Sequence, residues 1–295
     1  MPKRLSQRAA GALANSVFLR RGKALFADNA TNWQLPLSKF DKLWTGSWLI
    51  LDDYSKGLFP PTFLDQQKAY EAEKNYRFSI PGISADQVVH DNMAKPFWFG
   101  KMGRDYLDQF NQLTLRLEQI GIKPPANILE LGCGSGWTAE FLATMGYAVC
   151  GTTISEDDIA DANRRKRSLE IKGLAPNLKF VAAPMESVHQ ALAGEEFDAA
   201  FVYEALHHAF DWRKSIRSIY DCLRSGGWFL ICNEPNVLHT CVSYRVARLS
   251  NTHEIGFSKG ELIAELRKTG FQRVISVGAN MHCWFRPHWL LAQKQ

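Results

Sequence analysis

A chain of 295 residues with 46% apolar content can build a sizeable core and suits about one and a half to two domains. Its net charge of +5 is modest, and basic and acidic residues are largely interleaved, which argues against a groove for long nucleic acid. Apolar runs stop short of the roughly 18 residues of a membrane span, and the start lacks an unbroken apolar stretch with a small-residue cleavage site. Neither a spanning helix nor a secretory leader is expected.

Six cysteines (133, 150, 222, 232, 241, 283) show no C-x-x-C pair and no zinc-ligand spacing. They predict reduced core thiols in a cytoplasmic protein, and no metal site is expected.

Residues 1–27 carry six Lys or Arg and no acid. Leu5, Ala9, Leu13, Val17 and Leu25 recur at near-helical spacing, with Gly22 as the expected stop. Such a segment fits a transit peptide, or a basic helix that rests on a membrane surface or a partner. Aromatic residues then concentrate at Trp33, Trp44, Trp48, Tyr54 and Phe59. The string WLILDDYSKGLFPP (48–61) predicts a short strand, a turn and a Pro-Pro break. A charged helix is expected over 64–79, and one or two helices over 86–120, ending at Gly121. These segments divide the chain into an N-terminal extension, 1–90, and a larger domain, 91–295.

From residue 127 the pattern alternates. Strands are expected at 127–131, 147–154, 178–182, 197–203, 227–232 and 271–277. Helices are expected at 136–145, 156–172, 185–193, 211–224 and 258–269. The alternation predicts an α/β fold, a mostly parallel sheet with helices on both faces, and ligands outside the carboxyl ends of its strands. Ser155 with Glu156, Asp157 and Asp158 reads as a helix N-terminus. Residues 235–257 form an insertion, and the tail predicts an edge strand.

The strand end Ile128-Leu129-Glu130-Leu131 runs into Gly132-Cys133-Gly134-Ser135-Gly136 and a helical pattern. Glycines at these positions let backbone approach a ligand closely. With FDAAFVYEALHH (197–208) and CLRSGGWFLICNEP (222–235) in the same order, the chain resembles class I S-adenosylmethionine-dependent methyltransferases from about residue 95 onward. The resemblance implies a Rossmann-like seven-stranded sheet and S-adenosyl-L-methionine as cofactor. It places Gly132, Cys133, Gly134 and Gly136 beneath the cofactor, and Glu130 near its methionine amino group. Thr153 stands where many members carry an acid for the ribose, which puts ribose recognition in doubt; it resembles the Gly-x-Thr-x-Ser form of some lipid and small-molecule enzymes. Ile154 follows it, and Asp157 is a minor ribose candidate. Met185 and Glu186 are expected at the adenine, although Pro184 replaces the usual acid there.

The reacting edge is the end of the fourth strand: Tyr203, Glu204, His207, His208, then Asp211. An imidazole suits removal of a hydroxyl proton near neutral pH, so His207 or His208 is a base candidate, with His253 and Glu254 in the insertion as a second pair. No Asn/Asp-Pro-Pro-Tyr string follows the fourth strand, which argues against an amine of DNA or RNA. The expected acceptor is a small or lipid-linked organic molecule, most simply a sugar, phenol or natural-product intermediate methylated at oxygen. A lipid or carbon methyltransferase, and a non-catalytic cofactor-binding module, stay open beside it, as does self-association.

Overall fold

Short apolar runs set off by glycine, proline or polar residues become strands, and the seven among the described residues fall in one sheet. The computed structural model describes residues 2–31, 37–59, 65–75, 84–174, 176–250, 252, 256–277 and 287–295. The strands are β1 (Asn127–Leu131), β2 (Ala148–Thr153), β3 (Leu178–Ala182), β4 (Phe197–Tyr203), β5 (Leu223–Glu234), β6 (Phe271–Ser276) and β7 (His288–Lys294), in the order 3-2-1-4-5-7-6. β1 to β5 run parallel, whereas β7 is antiparallel to both β5 and β6. The helices are α1 (Pro2–Ala14), α2 (Arg20–Thr31), α3 (Lys39–Lys56), α4 (Gln66–Lys74), α5 (Ala85–Ala94), α6 (Lys101–Gln119), α7 (Trp137–Thr144), α8 (Glu156–Ile171), α9 (Val188–Ala191), α10 (Trp212–Cys222), α11 (Val237–Ser250) and α12 (Lys259–Thr269).

The chain divides into two compact units, Met1–Ser84 with Pro235–Phe257 in one, and Ala85–Glu234, Ser258–Cys283 and Pro287–Gln295 in the other. The larger unit carries the sheet. Every residue of β4 up to Val202 is buried, as a parallel strand covered on both faces requires. Leu113 and Leu117 of α6 and Leu142 of α7 pack with Ile128, Phe201, Leu230 and Leu291 into one core. Arg165 of α8 fastens the end of α5 to this body. Its guanidinium donates to the carbonyls of Asn92, Met93 and Lys95 at 2.6 to 3.1 Å and pairs with Glu140 at 2.7 Å.

The smaller unit is helical, and it corrects two sequence expectations. The strand expected at 48–51 is the second half of α3. Ser38 caps that helix by accepting from the Asp41 amide, and Gly57 ends it at φ 76°. Trp44 and Trp48 lie four residues apart, so helical winding brings both to one face, and the helical caps prevail over β propensity. Gly22 is no stop either. It lies inside α2 against the Trp44 carbonyl, where a Cβ would come within 2.6 Å, so it serves close helix packing. The break in the first segment comes earlier, at Ser16, before a 3-10 turn at Val17–Leu19. The insertion after β5 holds α11, whose Tyr244 and Ala247 join Ala14, Leu19, Trp48 and Leu49 in a second core. Within that core the Tyr244 hydroxyl donates to Asp53 at 2.8 Å, and Arg248 pairs with the same carboxylate at 2.9 Å.

A third correction concerns the tail, back in the sheet. β7 is not an edge strand: it is inserted between β5 and β6, leaving β6 at the edge. Its Leu290, Leu291 and Ala292 are buried, an apolar run suited to an interior position.

Candidate active site

The carboxyl end of β1 opens the site. Gly132, Gly134 and Gly136 all take positive φ (66°, 50° and 74°), a conformation that L side chains rarely adopt. Their surroundings differ. A Cβ on Gly132 would meet the Ala205 Cβ at 2.4 Å and the Met185 Cε at 2.8 Å. One on Gly136 would strike the Phe180 ring, whereas Gly134 faces open space. Gly132 and Gly136 therefore let strand-end segments close on one another, and Gly134 is the face left clear. The Cys133 amide donates to the Thr152 carbonyl at 2.9 Å, which holds the loop against β2. Its thiol is buried, and burial with the Glu130 and Asp158 charges pushes it well above the ordinary range, so it is a core group.

Glu130 is 2% exposed. The Thr138 hydroxyl donates to its Oε1, while Oε2 has no hydrogen-bond partner of good geometry. Burial pushes its carboxyl up to about 8, against the opposing effect of the Thr138 hydroxyl and the Ala139 amide. A buried carboxylate with an unfilled oxygen, beside a glycine loop with an open face, fits a bound ammonium. These residues fit the amino-acid end of S-adenosylmethionine.

At the end of β2, Thr153 is buried, and its hydroxyl lies 3.4 Å from the Ser155 amide, with Ile154 half-buried beside it. The Ser155 hydroxyl accepts from the Asp158 amide, so the expected cap of α8 forms, and Asp157 is exposed in its first turn. Past β3, Met185 reaches Gly132 with its methyl group. The Glu186 side chain turns inward, 2% exposed, where its Oε1 accepts from the Asp211 amide at 3.0 Å. That carboxylate braces the loop entering α10.

The end of β4 is pinned by a residue that the sequence reading passed over. Glu234, fully buried at the end of β5, accepts from the amides of Ala205, Leu206 and His207 and from His207 Nδ1, the last at 2.8 Å. Burial alone would raise its carboxyl, but the His207 ring and the amides of Leu206 and Ala205 hold it below the ordinary range. His207 is thereby an enclosed anchor of the turn, 6% exposed. His208 is half-buried, its ring centroid 4.1 Å from that of His207. Tyr203 stands edge-on to Trp137, and burial with the Glu204 charge drives its phenol far above its usual range.

Glu204 and Asn233 form the rim. Both have left-handed backbone, φ 49° and 57°, and the Asn233 amide donates to Glu204 Oε1 at 2.5 Å. Two non-glycine residues in this conformation at adjacent strand ends mark backbone strain held by the surrounding contacts. The Glu204 side chain reaches solvent, yet desolvation in the crowded rim and the Glu234 charge raise its carboxyl. An acid at the end of an apolar strand was the available signal for Glu234. His253 and Glu254, the second base pair expected from sequence, lie outside the described residues. Among the described residues no cluster of three His, Cys, Asp or Glu side chains could hold a metal ion.

Comparison with known proteins converges on the same site. A family model described as a methyltransferase domain matches residues 129–231, the span from β1 to β5. A ubiquinone biosynthesis O-methyltransferase of Bordetella avium (strain 197N) is 26% identical over 210 residues, covering 66% of this chain and 84% of that protein. An O-methyltransferase of Aspergillus sclerotiorum, resE, is 30% identical over 149 residues, about half of each chain (50% and 54%). Among solved structures, magnesium protoporphyrin IX methyltransferase from Synechocystis PCC 6803, crystallised with bound SAH, shares the fold: TM-score 0.55 at 15% identity, over 76% of this chain and 100% of that one. Sheet order, glycine loop and family model together show a methyltransferase domain over residues 129–231, in a sheet with the fold of class I S-adenosylmethionine-dependent methyltransferases.

Proposed function

We propose that the enzyme transfers a methyl group to an oxygen of a small or medium-sized organic acceptor. The observation that carries this reading is the Glu234 clamp. It fixes the turn 205–207 through three backbone amides and an imidazole, and so presents Tyr203, Glu204 and His208 beside the glycine loop. The cofactor supplies a methyl group already activated on a sulfonium centre. What remains for the chain is alignment, exclusion of water and removal of the acceptor proton.

Each of those tasks has a candidate. The edge-on pair of Tyr203 and Trp137 gives a rigid apolar wall against which an acceptor could align. The Glu204–Asn233 pair offers a polar rim for an acceptor hydroxyl. The His208 imidazole, half-buried and held by the anchored turn, is the group placed to take the proton, whereas His207 is committed to Glu234. The two relatives above are named as O-methyltransferases, which supports oxygen as the atom methylated.

The test is direct. Purified protein is supplied with S-adenosylmethionine and a panel of phenols, sugars and lipid-linked hydroxyl compounds, and methylated product is measured. His208→Gln is expected to lower kcat on the active acceptor by about 10²- to 10⁴-fold, with S-adenosylhomocysteine affinity unchanged. Unchanged kcat would remove His208 from the mechanism. Product methylated at carbon would move the lipid or carbon enzyme to the front, and cofactor binding with turnover of no acceptor would favour a non-catalytic module.

A further inference from the structure

The helical unit carries a surface that the methyltransferase reading does not use. Its 3-10 turn, Val17–Leu19, buries only Leu19 and leaves Val17 76% and Phe18 67% exposed. Phe40, in the first turn of α3, is 59% exposed. Trp44 ties the two together. Its ring lies 4.5 Å from that of Phe18 and stacks on Phe40 at 5.3 Å, and its indole N–H donates to the Phe18 carbonyl at 3.1 Å. The result is a fixed apolar tip on a rigid tryptophan base, flanked by exposed Leu13 and Leu43.

Around this tip basic side chains predominate. Arg20, Arg21, Lys23 and Lys39, close to it in sequence, are all exposed, and residues 1–27 contain no acid. The Asp41 carboxylate beside the tip is taken by Arg21 at 2.7 Å. We propose that this tip is a peripheral docking surface for an anionic phospholipid bilayer. Bulky apolar groups set among Arg and Lys are the combination that enters the headgroup region while pairing with lipid phosphates. A second copy of the chain fits worse, because facing tips would bring like charges together. No helix among the described residues is long and apolar enough to cross a membrane, so the contact is one of lying on a surface, not spanning it.

The inference is independent of the acceptor and is tested without an activity assay. The full chain is floated with vesicles of phosphatidylcholine alone and of an equal mixture with phosphatidylglycerol. Binding to the mixed vesicles is expected, weakening as salt rises, and falling by about tenfold or more in Val17→Asp/Phe18→Asp and in Arg20→Glu/Lys39→Glu. Circular dichroism and S-adenosylhomocysteine binding should match the wild type in both variants, since neither pair lies in a core. Three results would overturn the proposal. These are no binding to mixed vesicles at low salt, equal binding by both variants, or self-association lost in the Val17→Asp/Phe18→Asp variant with no vesicle binding.

Discussion

Glu130 shows how one buried side chain can link fold, pH and cofactor. A carboxyl whose folded-state pKa is raised stabilises the fold below its unfolded value, near 4.5. That contribution is lost as pH rises through about 8. The apo protein should therefore lose stability between those limits. Glu130→Gln should flatten this slope and raise apo stability at pH 8 by on the order of 2 kcal/mol, read by urea unfolding. The same variant should bind S-adenosylhomocysteine more weakly if the carboxylate receives the ligand's ammonium. The glycines give a second contrast. Gly132→Ala forces a Cβ into Ala205 at 2.4 Å on left-handed backbone, whereas Gly134→Ala adds only the backbone strain, about 1 kcal/mol. Gly132→Ala should thus lower the melting temperature more than Gly134→Ala does, while both weaken cofactor binding. Paired thermal melts and calorimetric titrations would separate the two effects. The glycines were legible in sequence because their spacing is local. The Glu234 clamp was not, since it reaches turn 205–207 only after β4 and β5 pair.

At the level of elements, Arg165 holds the end of helix α5 and its exit at Lys95. Arg165→Met would take a donor from the buried Asn92 carbonyl, which keeps only the Ser135 hydroxyl, from the part-buried Met93 and Lys95 carbonyls, and from the Glu140 carboxylate. A loss of about 3 kcal/mol in urea unfolding is expected. A change within about 0.5 kcal/mol, the size typical of surface substitutions, would mean that water satisfies these groups. The same scale explains which elements sequence periodicity announced. β1, β3 and β4 match their expected bounds because a short apolar run closed by glycine, proline or an acid is a local signal. α3 was misread as a strand because its apolar residues suit either period over a few positions. Its caps at Ser38 and Gly57 decide the matter only when read together.

The whole molecule combines a cofactor-binding sheet with a helical unit assembled from the segment before the sheet and the insertion between β5 and β6. A ligand that binds only the folded state stabilises by mass action. S-adenosylhomocysteine at a hundred times its Kd should add about 2.7 kcal/mol to wild-type stability. In Gly134→Asp, where a charged side chain fills the open face of the loop, the melting temperature should not move on adding the ligand. A rise equal to that of the wild type would place the cofactor elsewhere.

The sequence by itself determined the fold class, the parallel core of the sheet and the glycine loop, because each is encoded in contiguous residues with a fixed period or spacing; the cofactor followed from the family resemblance of three ordered motifs. Tertiary structure alone decided the rest. It joined α3 to α11 through Asp53 and Tyr244, 191 positions apart, and inserted β7 between β5 and β6. It also separated His207, locked onto Glu234, from its neighbour His208. Contacts between distant residues have no local period to announce them. Which of two adjacent histidines is buried depends on a carboxylate that another strand delivers.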